Sequence, residues 1–416
     1  MRILTSVLIL GGMGGVASAN AFFIDEHDAR ATGRGDAATA SDTGPSSIFY
    51  NPGGVAVGEG TNISIGGSYI VAGGSFTQMG SSIKTDTDSG AAVLPQLYVT
   101  HRFNDLISAG IGFYTPFGLT ISWPDSSPQN DVLKKETLAT FFISPVVGLN
   151  LNKFVPGLSI GGGVDIVPAT VELEQYIFFG DPSTGGAQGT AHLGGTAVGI
   201  GGRIGVMYKP AFVPRLSLGV MYRSQVTENF TGTGDFDIAA PFRSQLPPDG
   251  NVATTVKLPQ QVSGGISYRP IDPLELEVDV SWMNWASFSE LVISVPKAGG
   301  GMQNTGGPED YSNETTLRVG AEYSMPSIET AVRVGYIYDP TPIPAQHLTA
   351  QLPDANRNDI TAGASHQFGD YNVNLGLLYV IPVKRDTAAD AGAPIYKGTY
   401  EINAFVASLS LGGRFR

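Results

Sequence analysis

The feature that most constrains this chain is a period-two alternation of apolar and polar residues. From Leu274 to Trp282 every even-numbered residue is apolar, while the odd-numbered residues are three carboxylates and a serine. Successive side chains of a β-strand point to opposite faces, so the two sets lie on opposite sides of a sheet. The same alternation recurs in 317–323, 332–336 and 371–377. A soluble sandwich would turn the apolar face inward, whereas an outer-membrane barrel turns it to lipid.

These segments recur along the whole chain after residue 60, separated by connections that are alternately short and long. Short turns on one side and long loops on the other are typical of transmembrane β-barrels in bacteria, which have an even number of strands. The pattern therefore predicts an all-β protein, an antiparallel transmembrane barrel of about fourteen strands over residues 61–416. The predicted strands are 61–73, 91–104, 106–122, 136–151, 157–178, 192–209, 214–230, 252–270, 273–295, 312–325, 328–341, 356–369, 370–384 and 398–416.

Composition excludes several other classes. Beyond the first residues no stretch of about 18 apolar residues is present, so no membrane helix is expected. A chain of this kind can span a membrane only as a closed barrel, because lipid offers no partner to an open sheet edge. The net charge of −13 argues against a nucleic-acid partner. The absence of cysteine leaves neither disulfides nor thiolate ligands.

Residues 1–19 have the pattern of a secretory signal peptide. Arg2 gives a positive start, an apolar run follows, and Ala17-Ser18-Ala19 forms a small-residue cleavage site. Cleavage after Ala19 makes Asn20 the first residue of the mature protein.

Residues 20–60 follow neither the helical nor the strand period. They are rich in glycine and alanine, and too apolar for a disordered tail. A compact irregular segment needs a surrounding structure to satisfy its backbone polar groups. We therefore predict that residues 20–60 form a plug in the barrel lumen. Many positions on the inward faces of the predicted strands are glycine, which would make room for such a plug.

The sequence gives little support to an enzyme or to a bound cofactor. Residues 33–38 fit a loose G-x-G-x-x-A nucleotide-binding pattern, but no strand precedes them and no helix pattern follows. The five histidines have no metal-ligand spacing, so no metal site is predicted. We expect neither catalytic residues nor a cofactor.

Several motifs resemble those of the FadL-type outer-membrane transporters of long-chain fatty acids and other hydrophobic compounds. These motifs are the segment 33–37, the Asn51-Pro52 turn, and the strand-like segments 258–268 and 282–288. The stretch from Thr341 to Arg357 is the most specific of them. After the proline that corresponds to Pro52 the family usually has alanine, where this chain has Gly53.

The resemblance implies a fourteen-stranded barrel with an N-terminal plug, located in the bacterial outer membrane. It implies passive uptake of a hydrophobic ligand, with lipid and lipopolysaccharide as the surroundings, and we expect a monomer. An aqueous porin with a movable plug is the main alternative, and a surface adhesin is a third. Whether the ligand is a fatty acid, an alkane or an aromatic hydrocarbon stays open at this level.

The third predicted strand contains Pro116, Phe117 and Gly118. Proline cannot donate to a β-ladder and glycine permits a bend, so a strand interrupted here leaves neighbouring backbone unpaired. The resemblance places a strand kink at this position, and ligand would then exit sideways into the membrane. A bulge that only adjusts the curvature of the barrel is the alternative.

The resemblance implies further candidate residues. Phe22 and Phe23 are expected to reach the internal pocket, as the family's N-terminal segment does, beside Asn51 and Pro52 of the plug; the alternative is that they only pack the plug. Gln175 stands where family members that bind a carboxylate have a basic residue, which leaves a neutral ligand possible. Apolar residues in the outer segments are expected to capture ligand, namely Phe178, Phe179, Phe236 and Phe242. The inward residues Arg203, Arg318 and Arg333 could take the place of the family's basic residue. Pairing with Glu277, Asp279 or Glu322 across neighbouring strands is expected instead, because unpaired buried charge is costly.

Overall fold

The fourteen predicted strands form a closed antiparallel barrel in the computed structural model, which describes residues 20–180, 186–387 and 396–415. The predicted signal peptide lies outside these residues. In order, the strands are β1 (Thr61–Gln78), β2 (Ala92–Arg102), β3 (Ile107–Tyr114 and Gly118–Ser122), β4 (Lys135–Thr140 and Phe142–Asn150), β5 (Leu158–Phe179), β6 (Ala187–Tyr208), β7 (Leu216–Arg223 and Val226–Asp237), β8 (Gly250–Leu258 and Gln261–Ile271), β9 (Leu274–Met283 and Glu290–Pro296), β10 (Glu314–Met325), β11 (Thr330–Asp339), β12 (Arg357–Phe368), β13 (Tyr371–Asp386) and β14 (Gly398–Phe415).

Little of the described chain lies outside these strands in regular structure. Two short strands extend loops, Lys84–Asp86 against β1 and Met302–Pro308 against β9. The described helices are all short: Ala29–Thr32, Ser47–Tyr50 and Ala240–Arg243 are α-helical, and Pro52–Ala56, Trp285–Ser287, Pro326–Ile328 and Ala345–His347 are 3-10 turns. Within the described ranges no helix has the length and apolar character to cross a membrane.

The barrel closes because its last strand pairs with its first. β14 runs antiparallel to β1 from the pair Thr61 and Phe415 to the pair Gln78 and Gly398. Each other strand pairs with its neighbours in sequence. Closure satisfies the backbone groups that an open edge would expose to lipid. We call the end of the barrel with short connections the turn end, and the opposite end the loop end.

The alternation of β9 is oriented as predicted. Leu276, Val278 and Val280 face outward with 42–46 % of their surface exposed, whereas Glu277 and Asp279 are 1 % exposed. The apolar outer face has no protein partner, and burial in lipid is worth about 25 cal/mol for each Å² of apolar surface removed from water. The lipid band therefore fixes which side chains enter the lumen.

Several predicted boundaries were wrong. β7 continues to Asp237, where a loop from residue 231 was predicted. β9 was predicted as unbroken over 273–295, but it is interrupted between Met283 and Glu290. The physical reason is that Trp285 leaves the wall and donates its indole N–H to the side chain of Asn20. This contact spans most of the sequence, so no local pattern reveals it.

The N-terminal segment, residues 20–60, lies against the inward faces of the strands. Residues 31–40 are all buried, as are most of the remainder. Inward glycines leave the space: a Cβ added at Gly320 would lie 2.3 Å from the carbonyl oxygen of Arg34. At Gly335 it would lie 2.3 Å from the carbonyl carbon of Arg34, and at Gly219 2.0 Å from the carbonyl oxygen of Thr39. The close approach to backbone requires glycine at these positions.

We predict that Gly335→Ala loosens the N-terminal segment. Neither the wall nor the Arg34 backbone can move easily, and overpacking of this kind costs about 1–3 kcal/mol. Limited proteolysis in detergent should therefore cut residues 20–60 faster in the variant than in the wild type.

The matched control is Gly264→Ala, because a Cβ at Gly264 meets no atom within 4 Å among the described residues. Equal proteolysis of the wild type and both variants would contradict the tight fit inferred at Gly335.

Candidate functional site

An apolar cavity lies inside the barrel on the loop side of the N-terminal segment. The centre of a water molecule can occupy about 80 Å³ of this cavity. This is enough space for several water molecules. Among the described residues, Glu136 is the one ionisable side chain in its lining. The apolar lining is formed by Phe22, Leu119, Leu138, Val171, Leu173, Leu193, Phe230, Val252, Val256, Phe288, Leu291 and Ile293.

Phe22 connects this cavity to an aromatic cluster. Its ring lies 4.8 Å from that of Trp285, 5.7 Å from Phe288 and 6.1 Å from Phe117, each in an edge-to-face arrangement. Such geometry is favourable for aromatic pairs beyond the surface that they bury. Phe22 thus lines the cavity on one side and contacts the interruption of β3 on the other.

The interruption of β3 falls at Thr115–Phe117 and overlaps the kink that the sequence predicted at Pro116–Gly118. The first segment of β3 pairs with β2 only over Leu97–Arg102, and the second segment, Gly118–Ser122, pairs with β4. No described residue of β3 pairs with β2 between Ala92 and Gln96. The ladder between β2 and β3 therefore ends here, which is a larger change than a bulge of one residue.

The N-terminal segment occupies the interruption. The backbone N–H of Ile24 donates to the carbonyl of Pro116 at 2.8 Å, and the N–H of Gly118 donates to the carbonyl of Phe22 at 2.9 Å. Phe23 packs its ring 5.1 Å from that of Phe117. These contacts satisfy part of the backbone that the wall strands leave unpaired.

Charged contacts hold the N-terminal segment to β9. Arg34 donates to Glu275 at 2.8 Å and to Glu277 at 2.9 Å, with all three side chains buried. Asp279 accepts hydrogen bonds from the backbone N–H groups of Ala38 and Thr39, both at 2.9 Å. The carboxylates that alternation places in the lumen are thus paired with the N-terminal segment.

Two of the three inward arginines, Arg203 and Arg333, pair with a carboxylate on a neighbouring strand as predicted, but only Arg333 does so with one of the predicted carboxylates. Arg333 donates to Glu322 on the neighbouring strand at 2.6 Å. Arg203 instead pairs with Asp165 of β5 at 2.8 Å, and Arg318 pairs with Asp25 of the N-terminal segment. The prediction for Arg318 was wrong because it considered only wall residues as partners.

Four of the five predicted pocket residues do not line the cavity. Phe23 packs on Phe117 instead. Asn51 donates to the carbonyls of Thr39 and Val206 at 2.7 and 3.0 Å, and Pro52 begins a 3-10 turn. Asn51 therefore attaches the N-terminal segment to β6, and the carbonyl of Pro52 lies against Gly161 of β5. Gln175 pairs with Ala191 in the ladder between β5 and β6 and does not line the cavity.

The four predicted outer residues fall into two groups at the loop end. Phe178 is 44 % exposed, and Phe179 stacks on Phe242 with ring centroids 5.7 Å apart. Phe236 is not in an exposed loop as predicted, because it lies in β7 and is buried beside Val252. The extension of β7 beyond residue 230 turns its side chain inward.

Sequence reasoning missed most of the cavity. Leu138 and Val171 come from β4 and β5, Phe230 comes from β7, and Phe288 and Leu291 come from the interruption and the second segment of β9. Parity along each strand could have shown that Phe230 and Val171 face inward. It could not show their depth in the barrel, which depends on the register between strands.

A buried carboxyl of the loop between β11 and β12 contacts the start of the described chain. Asp354 accepts hydrogen bonds from Thr341 Oγ1 at 2.6 Å and from the backbone N–H of Ala21 at 3.3 Å. Burial raises the pKa of Asp354 to about 7, against the hydrogen bond from Thr341, which lowers it. The most specific sequence stretch thus contacts the N-terminal segment beside Phe22.

The chain matches a known family over nearly its whole length. The model of the family described as "Outer membrane protein transport protein (OMPP1/FadL/TodX)" matches residues 12–415. The long-chain fatty acid transport protein of Escherichia coli (strain K12) is 25 % identical over 404 residues, covering 86 % of this chain and 87 % of that protein. That of Salmonella typhi is 26 % identical over 391 residues, with the same coverage of 86 % and 87 %.

Solved structures share the fold. The structure of a Pseudomonas aeruginosa FadL homologue has a TM-score of 0.82 and 18 % identity, covering 95 % of this chain and 100 % of that one. The Ralstonia pickettii toluene transporter TbuX has a TM-score of 0.72 and 18 % identity, covering 94 % of this chain and 99 % of that one.

We predict that Arg34→Met releases the N-terminal segment from β9. The substitution removes the arginine paired with the buried Glu277, whereas Glu275 keeps Arg269. Leaving a buried carboxylate without its partner costs about 3–5 kcal/mol. Hydrogen exchange of residues 20–57 in detergent should become faster, and adding Glu277→Gln should restore part of the protection.

Lys153→Met is the control, because the ion pair of Lys153 with Asp105 is about 70 % exposed on both sides and such pairs contribute little. If Arg34→Met exchanged no faster than Lys153→Met, the buried contact would not hold the segment.

Proposed function

The chain belongs to the OMPP1/FadL/TodX family of outer membrane transport proteins, and from this membership we propose that it takes up hydrophobic small molecules by passive diffusion through a plugged barrel. It is a transporter of the bacterial outer membrane and not an enzyme. The observation that carries the proposal is that the apolar cavity adjoins, through Phe22, the interruption in the barrel wall at Pro116.

Residues 20–60 act as the plug in this proposal. Their burial, the glycines that face them and the ion pairs of Arg34 support this role. The plug blocks a water-filled path at the turn end, which faces the periplasm. Ligand therefore has to leave the cavity sideways rather than along the barrel axis.

The ligand is a long-chain fatty acid or a hydrocarbon. The cavity lining offers apolar surface and one carboxyl, Glu136, and each buried CH2 group contributes about 0.8 kcal/mol. The relative from Escherichia coli is named for long-chain fatty acids and the Ralstonia pickettii structure for toluene. Because the cavity is small, a long chain has to displace Phe22 or Phe288, whose rings are in contact.

The route runs from the loop end to the lipid. Phe178, Phe179 and Phe242 form apolar surface at the loop end, where ligand is first bound. It then enters the cavity and passes Phe22 to reach the interruption of β3. Movement of Phe22–Ile24 opens the wall toward lipid, below the polar lipopolysaccharide layer, and the barrel works as a monomer in contact with both.

We predict that Pro116→Val with Gly118→Val slows uptake without unfolding the barrel. A Cβ at Gly118 meets ordinary contacts at 3.5 Å from Ile24 and Leu138, so the variant can fold while the wall strand becomes straighter. The measurement is oleate uptake by cells whose own outer-membrane fatty acid transporter has been deleted, at matched amounts of folded protein.

Pro145→Val serves as control, since Pro145 lies in the unbroken segment Phe142–Asn150 of β4 and faces outward. Uptake by the double variant at the wild-type rate would rule out exit at β3.

A further inference from the structure

A second discontinuity of the wall lies between β8 and β9. Toward the loop end these strands are paired only at Ala253 with Ser294 and at Thr254 with Ile293. Pairing resumes at Gln261 with Met283. Continued register would place Lys257 opposite Glu290, but no described residue of β9 pairs with Thr255–Leu258.

The opening exists because β9 leaves the wall. After Met283 the chain turns inward through the 3-10 turn Trp285–Ser287, and Trp285 is fully buried against the N-terminal segment. The strand returns to the wall at Glu290. The contact that positions Trp285 beside Phe22 therefore also separates β8 from β9.

An outer pocket of about 540 Å³ occupies this opening. Most of its lining residues are polar, and the polar residues that line this pocket alone are Asn229, Thr255, Lys257, Ser287, Ser289, Glu290 and Ser294. Five residues line both this outer pocket and the internal cavity: Phe230, Thr231, Ala253, Thr254 and Phe288. The two spaces are therefore neighbours separated by a layer of side chains.

The outer pocket opens above the lipid-facing band. On β7 the outward residues Val220 and Tyr222 are apolar and exposed, and the next outward residues of that wall are Thr227 and Asn229. Tyr222 donates its hydroxyl hydrogen to Gln260 at 3.0 Å. An aromatic residue with a polar contact marks the boundary of the apolar band in barrels of this class. The pocket thus faces the polar layer rather than the hydrocarbon core.

We propose that this opening is a side entrance through which a single-chain amphiphile with a small polar head passes tail first into the internal cavity. The tail displaces Phe230 and Phe288, and the head stays among the hydroxyl, amide and charged groups around Lys257. This inference rests on the proposed function, since it names the path and the ligand class of the same cavity.

The difference between the linings of the internal cavity and the outer pocket supports entry of the tail before the head. The internal cavity offers a polar head one carboxyl, Glu136, and no described basic side chain. Burying a polar head there without a partner is unfavourable. The outer pocket has Lys257 and Glu290, of opposite charge, with six hydroxyl side chains and an amide. It therefore suits a small head of either charge.

The absence of cysteine permits a reversible test. A Lys257→Cys and Glu290→Cys pair is bridged across the opening by a short bis-methanethiosulfonate reagent and later released with dithiothreitol. The control is the pair Thr233→Cys and Asn251→Cys, which lie opposite each other in register on β7 and β8, outside the pocket. Oleate uptake is measured in cells lacking their own outer-membrane fatty acid transporter.

Bridging 257 to 290 should lower the initial uptake rate at least about tenfold, equivalent to about 1.4 kcal/mol in the barrier, and reduction should restore it. The bridged 233–251 pair should remain at the wild-type rate. Thr255→Trp should slow uptake without any cross-link, whereas Thr233→Trp, exposed on β7 outside the pocket, should not.

The outcomes separate the two proposals. If wild-type cells show no uptake of oleate above cells without the protein, the proposed function fails. If wild-type uptake is present and neither the 257–290 bridge nor Thr255→Trp changes it, the side entrance is overturned while the proposed function stands.

Discussion

The structure depends on one electrostatic constraint, the burial of carboxylates inside a cylinder whose outer face must be apolar. The alternation that gives lipid its apolar surface forces Glu275, Glu277 and Asp279 into the lumen. Unpaired, these charges would be costly. The N-terminal segment supplies Arg34 and the backbone N–H groups of Ala38 and Thr39 as partners. Barrel and N-terminal segment therefore stabilise each other through these buried contacts.

This pairing divides the barrel into two levels. At the turn end, glycine-lined walls lie against the N-terminal segment. On its loop side the strands are interrupted at similar heights, in β3, β4, β7, β8 and β9. The cavity lies between these interruptions and the loop end. The aromatic residues Phe22, Phe117 and Trp285 fill the space between the cavity and the rest of the N-terminal segment. Places where the wall loses hydrogen bonds are thus the places where an apolar molecule could pass through it.

The sequence predicted the parts of this arrangement that have a local signal. Alternation gave fourteen strands with the correct outward faces, and Pro116 marked the interruption of β3 because proline cannot donate to a ladder. The interruption of β9 has no such signal, since Trp285 leaves the wall to contact Asn20, far away in sequence. The cavity was missed for the same reason: Phe230 and Phe288 meet only through the register of separate strands. The ion pair of Arg318 was missed for the same reason, because its partner Asp25 lies in the N-terminal segment and not on a neighbouring wall strand.

Single-channel recording in a planar bilayer tests the central claim, that residues 20–60 close the barrel to water. The account predicts that the wild-type protein shows no steady large openings over a wide range of voltage, because the N-terminal segment is held by buried ion pairs. Steady openings of porin size in the intact protein would contradict it, and would favour an aqueous channel in place of a plugged barrel with passage through the wall.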